Sequence, residues 1–376
     1  MNDEHYYDRE QSQVKHRILE RYLQAFAPII GSRYHEIVYV DCMAGPWETR
    51  DAHLSDTSFH KALSVFRECK RRGRCNRVRA LLIENDPEKY PLLEAYGKKV
   101  KDIEVVTEPW DFNEHVQDIV DFAKQSKNSF PFFFIDPTGW SEARINRIRP
   151  ILQTVPGEVL INFMSFWVKR FLDDPRKPFG ELLGKDVDRL RSLQGDELDD
   201  ELVNAYAARV REEGNFSYTC AIPILMPDRD VIHYHLVYGT RDFKGLEEFK
   251  RTEADAIPYM HELRAMAQRR HDQESSAQGF LLSPSETYRE RRFRDLNQRR
   301  KANARAAVIR LLTSKKSTTY RDVYQEAMQY ATVIEGDLRQ WLHEWQSTGF
   351  IRYENWSKGQ KVPHADTIVI TLGALS

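Results

Sequence analysis

The stretch that most constrains the fold of this chain is residues 131–140, PFFFIDPTGW. An apolar run followed at once by an acid, a proline and a glycine is typical of a fully buried parallel strand that ends at a ligand site. Ligands of open α/β sheets bind beyond the carboxyl ends of the strands, so we expect Asp136 to face a cavity. Pro137 and Gly139 favour a tight turn, which would bring Trp140 to the same cavity. The alternative is that Asp136 caps the next helix and Trp140 packs on the sheet.

The same pattern recurs earlier in the chain, where the β-branched segment 36–41 ends at Asp41 and is followed by Ala44 and Gly45. Small residues after a strand let the backbone approach a ligand closely, and an acid there can accept hydrogen bonds from it. The spaced glycines of the dinucleotide motif G-x-G-x-x-G are missing from this segment, which argues against an NAD-dependent oxidoreductase. We therefore expect a ligand without phosphates.

A third acid follows another apolar segment, residues 78–83, which ends at Glu84. A carboxylate in this place is the usual acceptor for a ribose hydroxyl pair, although a helix cap or a surface acid is the alternative. A shorter strand is predicted at 102–106. Trp110 and Asp111 follow it and could flank an adenine, but an ordinary loop fits them equally well.

The order of the elements predicts the fold class. Strands predicted near 36–41, 78–83, 102–106, 131–135 and 158–164 alternate with helices, which is typical of a parallel, doubly wound α/β sheet. Two further strands, 217–226 and 231–238, form a hairpin. Parallel strands closed by an antiparallel hairpin are the chain order of the Rossmann-like class I methyltransferase sheet. Residues 165–215 are predicted to be a helical insertion that roofs the site.

Residues 10–27 have the apolar spacing of an amphipathic helix that packs on this sheet. Lys15 and His16 fall beside its apolar stripe, close enough to the predicted core to reach a ligand. The alternative is a solvated basic pair.

Composition narrows the functional classes. Lys+Arg 56 against Asp+Glu 57 gives a net charge of -1, so a nucleic-acid partner would need a local basic surface. The polar N-terminus and the lack of an apolar run of about 18 residues predict a soluble, cytoplasmic protein without a membrane span. The scattered cysteines Cys42, Cys69, Cys75 and Cys220 predict free buried thiols and indicate no zinc site.

The C-terminal third has a different character. Residues 261–302 are a charged, arginine-rich helical connector, either solvated or forming a stripe that tracks phosphates. Residues 303–376 are predicted to form three short helices and two strands, the order of a winged-helix domain, with Thr318 or Thr319 as an N-cap. The third helix, 335–348, is acidic, so protein docking and nucleic-acid contact both stay open. We thus expect three parts: a domain at 1–260, the connector and the winged helix.

These motifs together resemble a known family. The segments are VKHRIL (14–19) with Tyr22 and Leu23, YVD (39–41) with AGP (44–46), IENDP (83–87), FIDPTGW (134–140), LINFM (160–164), and YHLVY (234–238) with KGL (244–246). Their order resembles the three-Cys-motif partner (TcmP) proteins over roughly residues 10–260. The resemblance implies a class I S-adenosylmethionine (SAM) methyltransferase-like fold and a separate partner protein that carries a three-cysteine motif.

The FIDPTGW segment is also similar to the Asp-Pro-Pro-aromatic signature of adenine-N6 nucleic-acid methyltransferases, with Thr138-Gly139 in place of the second proline. This similarity implies SAM-dependent methylation of an amino group in RNA or DNA, without a metal. Asp136 and the Pro137 carbonyl would accept hydrogen bonds from the amine, and Trp140 would stack on the base. The candidate catalytic residues are Asp136, Pro137, Trp140 and Lys15. The candidate cofactor-binding residues are Asp41, Ala44, Gly45, Glu84, Asn85, Trp110 and Asp111.

A second hypothesis belongs to another functional class. The altered signature and the acidic third helix suit a non-catalytic SAM-fold subunit that docks a three-Cys-motif protein through the winged helix and presents nucleic acid to it.

Overall fold

The computed structural model describes residues 6–45, 49, 51, 53–174, 176–275, 291–356 and 362–373. Pro46 of the AGP segment and residues 276–290 of the connector, including Arg289, lie outside these ranges.

The described chain is built on a seven-stranded sheet. Its strands are β1 (Glu36–Asp41), β2 (Arg77–Ile83), β3 (Glu104–Glu108), β4 (Ser129–Ile135), β5 (Glu158–Phe163), β6 (Tyr218–Leu225) and β7 (Ile232–Thr240). The order is β3-β2-β1-β4-β5-β7-β6, in which β7 runs antiparallel to both neighbours and the other pairings are parallel. This confirms the predicted α/β, Rossmann-like methyltransferase fold.

Helices cover both faces of the sheet. They are α1 (Glu10–Gly31), α2 (Ser58–Arg71), α3 (Tyr90–Lys99), α4 (Val116–Lys124) and α5 (Ile145–Leu152). Alternate side chains of β1 enter two separate cores: Tyr39 packs with α1 and α2, whereas Val40 packs with α4 and α5. Burial on both faces explains why the strands read as unbroken apolar runs.

The insertion after β5 forms α6 (Ser165–Phe171), α7 (Gly180–Leu183), α8 (Val187–Arg191) and α9 (Gly195–Gly214). Helix α9 lies on the sheet, where the ring of Tyr206 stacks on Phe163 with centroids 4.1 Å apart. The insertion is helical, as predicted. Its helices cover a face of the sheet, and among the described residues none of them lines the cavities beyond the strand ends. The prediction that the insertion roofs the site is therefore wrong, because most of its apolar residues are buried in the core that covers one face of the sheet.

The C-terminal part comprises α10 (Phe243–Ser275), α11 (Arg291–Lys315), β8 (Ser317–Thr319), α12 (Tyr320–Met328), α13 (Glu335–Ser347), β9 (Ile351–Glu354) and β10 (Ile368–Thr371). The last three strands pair antiparallel in the order β8-β10-β9. The helix predicted to begin at residue 303 already includes residues 291–302, and the short strand β8 was not predicted. Thr319 caps α12 by accepting a hydrogen bond from the Asp322 N–H at 3.2 Å.

Several arginines of the connector are held in internal ion pairs with the acidic start of α9. The pairs are Arg292 with Asp196 at 2.7 Å and Asp199 at 2.9 Å, and Arg299 and Arg300 with Asp200 at 2.9 and 2.7 Å. Neither sequence interpretation, a solvated helix or a phosphate-tracking stripe, describes these three cations. They fasten the C-terminal helices to the insertion instead.

Among the helices of the described ranges, none combines the length and apolar character that crossing a lipid bilayer requires. The four cysteines are buried, as the sequence predicts.

Candidate functional site

Two cavities adjoin each other beyond the carboxyl ends of the parallel strands. Their volumes are about 130 Å³ and 280 Å³, and we call them the smaller and the larger edge cavity. Both are lined by Met43, which follows β1, and by Asp136, Pro137 and Thr138, which follow β4. The chain beyond β4 therefore forms the boundary between two neighbouring compartments.

The smaller edge cavity is lined by four of the predicted cofactor-binding residues, Glu84, Asn85, Trp110 and Asp111. Glu84 is buried, and its Oε1 accepts a hydrogen bond from the Asp86 N–H at 2.7 Å. Burial raises the pKa of Glu84 above its ordinary value. One carboxylate oxygen thus stays fixed by the backbone at the cavity wall.

The opposite wall of this cavity follows β3. The indole of Trp110 stacks on His115 with ring centroids 4.9 Å apart and planes 16° apart. Asp111 Oδ1 accepts from the Asn113 N–H at 2.8 Å, and Asn85 Nδ2 donates to Asp111 Oδ2 at 3.4 Å. The side chain of Asn113 also lines the cavity, and its buried Oδ1 has no hydrogen-bond partner within the described ranges. Sequence reasoning missed Asn113, whose only signal is its place just beyond the third strand.

The larger edge cavity is organised by Asp136. Lys15 Nζ donates to Asp136 Oδ2 at 2.5 Å, and Asn162 Nδ2 donates to Asp136 Oδ1 at 2.7 Å. The side chains of Lys15 and Asp136 are 12% and 14% exposed, so this ion pair is largely shielded from solvent. Lys15 comes from α1 and Asn162 from β5, which places three distant segments at one carboxylate. The alternative of a solvated Lys15-His16 pair is wrong, because His16 is buried as well.

Other walls of the larger cavity come from α1, from the segment before α2 and from β7. Arg9 pairs with Asp56 at 3.1 Å, while Gly45 brings backbone to the cavity edge. His233, which the sequence did not single out, has a buried Nδ1 without a hydrogen-bond partner in the described part of the chain. Burial and the charge of Lys15 lower the pKa of His233, so its imidazole is neutral near pH 7.

Asp41 lies behind the cavities rather than in them. It is fully buried, and its Oδ2 accepts hydrogen bonds from Ser58 Oγ at 2.8 Å and from the Tyr39 hydroxyl at 3.0 Å. Burial raises the pKa of Asp41 to about 7, against the opposing effect of the Ser58 hydrogen bond. Ser58 lines the larger cavity, whereas Asp41 and Ala44 are not among the described lining residues. Asp41 thus reaches the larger cavity through Ser58, which lines it.

Trp140 does not join the other predicted residues. Its ring packs against Phe179 with centroids 4.8 Å apart, and Arg144 lies over it at 5.9 Å. It is not among the described residues that line either edge cavity. The alternative interpretation of the sequence was that Trp140 packs on the sheet. The ring does pack, but its partner Phe179 belongs to the insertion.

Searches of protein-family models and of curated proteins return no match for this chain. Among solved structures, a loganic acid methyltransferase with SAH is similar at a TM-score of 0.30 and 12% sequence identity, over 73% of this chain and 92% of that chain. This likeness is too distant to carry an argument, and the fold assignment rests on the strand order.

Proposed function

We propose that this chain binds SAM across the two edge cavities and transfers its methyl group to an amino group. The observation that carries the proposal is that the two compartments meet at Asp136, with a buried carboxylate, Glu84, on one side and the Lys15-Asp136 pair on the other. Ligands of open α/β sheets bind at this edge, with an acid on the ribose hydroxyls.

The residues present suit the parts of SAM. Glu84 would accept the ribose hydroxyls, while Trp110 and Asp111 flank the adenine. The unpartnered Asn113 Oδ1 suits an exocyclic amino donor, because a buried acceptor without a partner costs roughly 1–3 kcal/mol. Gly45 lets the backbone approach the methionine part, and Asp41 would act on it through Ser58.

SAM would supply a methyl group on a sulfonium. The N–C bond would form as the S–C bond breaks with its electron pair left on sulfur, and the proton that the amine loses would pass to the imidazole of His233, which lines the larger cavity. The protein itself would contribute by holding the amine in line with the methyl group and the sulfur. Asp136 and the Pro137 carbonyl would accept hydrogen bonds from the amine, while Lys15 and Asn162 hold the carboxylate. Alignment of this kind contributes up to ~7–11 kcal/mol in well-oriented systems.

For the substrate we infer an amino group of a nucleic-acid base. Trp167 and Phe171 of α6 stack in parallel, with centroids 5.9 Å and planes 4° apart, and Arg170 lies over both rings. Trp167 is 37% exposed. The same helix lies next to a wall of the larger cavity, since Phe166 packs edge-on against His233, which lines it. Aromatic rings beside a cation suit a base that is single-stranded or flipped out, and this surface would take the stacking role first given to Trp140.

The test uses the purified full chain and SAM with a labelled methyl group. Label is expected to enter RNA or DNA, and Asp136→Asn is expected to lower the rate by about a hundredfold because the amine loses its charged acceptor. Asp102→Asn, which alters a surface pair with Arg67, serves as the control. Equal transfer by Asp136→Asn and the unaltered chain would rule out the assigned role of Asp136.

A second candidate function is that of a subunit that docks a three-Cys-motif protein through a winged helix at the C-terminus and presents nucleic acid to it. The charge of α13 supports this possibility. Its single Lys or Arg, Arg339, is paired with Glu335 at 2.6 Å, and Asp337 and Glu344 are paired with Lys301 and Arg305 of α11. A helix without an unpaired lysine or arginine is poorly suited to bind the phosphates of a nucleic acid. Under this alternative, label reaches nucleic acid only when the partner protein is added, so transfer by the chain alone eliminates it.

A further inference from the structure

A third cavity, of about 410 Å³, lies between the insertion and the C-terminal helices. We call it the interhelix cavity. It is lined by residues of α9, β6 and α11 and by the segment 329–331 after α12. Its described lining residues are not shared with either edge cavity, so it is a separate compartment.

Arg300 supplies a buried cation to this cavity. The residue is 2% exposed, and its Nε donates to Asp200 Oδ1 at 2.7 Å. Its Nη1 and Nη2 are buried and have no hydrogen-bond partner among the residues that the structure describes. Burying a guanidinium with donors unused is costly, and an oxygen-rich anion would satisfy those donors.

The acids near Arg300 do not neutralise the cavity. Asp200 is shared, because Arg299 Nη2 also donates to its carboxylate at 2.9 Å. Glu201, the other acid at the wall, is paired with Arg189 at 2.7 Å. Burial, together with the charge of Arg300, holds the pKa of His235 well below the ordinary value, so this histidine adds no negative charge. These neighbours leave an excess of positive charge.

Two more arginines and several neutral polar groups complete the lining. Arg211 comes from α9, and Arg310 of α11 lies near the hydroxyl of Tyr330. The remaining polar lining side chains are the amides of Asn204, Asn303 and Gln329 and the hydroxyl of Thr219. Guanidinium groups converging from two helices match the oxygens of a phosphate, and the volume falls in the range of small-ligand pockets. The amides and the tyrosine ring suit a polar, flat group attached to that phosphate.

We propose that the interhelix cavity binds a phosphate monoester of nucleotide size, with Arg300 at its base and Arg211 and Arg310 at its rim. The ligand would bridge the insertion and the C-terminal helices, which already meet through the Asp200 pairs. This assignment is independent of the proposed methyl transfer, because the two sites share no described lining residue.

The test is calorimetric titration of the full chain with uridine 5′-monophosphate and with uridine, in saturating S-adenosylhomocysteine so that the edge cavities are occupied. The monophosphate is expected to bind at least about tenfold more tightly than uridine, since the charged hydrogen bonds come from the phosphate. Inorganic phosphate is expected to compete. If inorganic phosphate competes and binds as tightly as uridine 5′-monophosphate, the nucleoside part contributes nothing. That result would overturn the proposal that the ligand is of nucleotide size.

Rim variants avoid the folding risk of altering buried Arg300. Arg211→Gln and Arg310→Gln are each expected to weaken monophosphate binding about tenfold, whereas Arg147→Gln on the exposed side of α5 leaves it unchanged. Glu84→Ala, in the smaller edge cavity, is also expected to leave it unchanged, which separates this site from the SAM proposal. Equal affinity for uridine and its monophosphate, or unaltered binding by both rim variants, would refute the anion site.

Discussion

Lys15 Nζ and Asp136 Oδ2 lie 2.5 Å apart, although Lys15 belongs to the first helix and Asp136 follows the fourth strand. The pair ties α1 to the carboxyl edge of the sheet. It also fixes the orientation of the carboxylate that both edge cavities share.

Substitution of either Lys15 or Asp136 should therefore destabilise the protein. Lys15→Met leaves a shielded carboxylate with Asn162 as its remaining described donor, and we expect a loss of roughly 1–3 kcal/mol in the free energy of unfolding. Urea denaturation measures it, and Asp136→Asn together with Lys15→Met should show strong coupling. Arg33→Met, which breaks an exposed pair with Asp242, should cost less than about 1 kcal/mol. Similar losses for the two methionine variants would contradict this account of shielding.

The stability contribution of Asp41 should depend on pH. Its folded pKa is raised to about 7 by burial, so the folded state binds the proton more tightly than the unfolded state does. The free energy of unfolding should therefore lose this contribution as pH rises from ~4 to ~7, and should lose no more above that range. Asp41→Asn removes the titration, so its stability relative to the unaltered chain should increase between pH 5 and pH 8. A difference that is the same at both pH values would show that Asp41 does not titrate as expected.

His233 should affect the rate of transfer rather than SAM binding. Its neutral imidazole borders the larger cavity and can take the proton that the amine loses. His233→Gln is expected to lower kcat by about a hundredfold near neutral pH with little change in KM. It should also remove the acidic limb of the pH–rate profile, a result that a merely structural role would not produce. His53→Gln, at an exposed position, is the control.

The aromatic surface of α6 gives a prediction for nucleic-acid affinity. Trp167→Ala should weaken binding of a single-stranded oligonucleotide by ~1–3 kcal/mol, the usual value of one base–aromatic stack. Fluorescence anisotropy measures the change. Trp356→Ala is a matched control, because Trp356 is 39% exposed and stacks on Tyr353 in the C-terminal part of the chain. Equal effects of the two alanine variants would remove α6 as the stacking surface.

The sequence predicted the centre of the sheet well because β1, β2 and β4 are buried on both faces and each ends at, or is followed directly by, an acid. Glu84, Asp136 and Lys15 line the edge cavities. The position of an acid just after an apolar strand predicted this for Glu84 and Asp136, and the spacing of apolar residues in the first helix predicted it for Lys15. Trp140 and Asp41 could not be assigned in this way. The ring of Trp140 packs on Phe179, and the carboxylate of Asp41 accepts a hydrogen bond from Ser58. Both contacts depend on segments that are distant in the sequence. Asn162 and His233 likewise become site residues only through sheet pairing, since β5 and β7 are adjacent in space.

The charged connector also makes contacts that the sequence could not predict. Its arginines predict a basic surface when the chain is considered alone, yet the acids that pair with Arg292 and Arg299 lie in α9, far away in sequence. Local charge patterns therefore could not predict which cations remain available.

The central claim is that the edge cavities bind SAM, with Glu84 on the ribose. Calorimetric titration with S-adenosylhomocysteine tests it most directly, using Glu84→Ala and, as a matched control, Glu88→Ala at an exposed position four residues on. We predict binding to the unaltered chain, a loss of about tenfold or more with Glu84→Ala, and no change with Glu88→Ala. Absence of binding to the unaltered chain, or equal binding by all three proteins, would contradict the account.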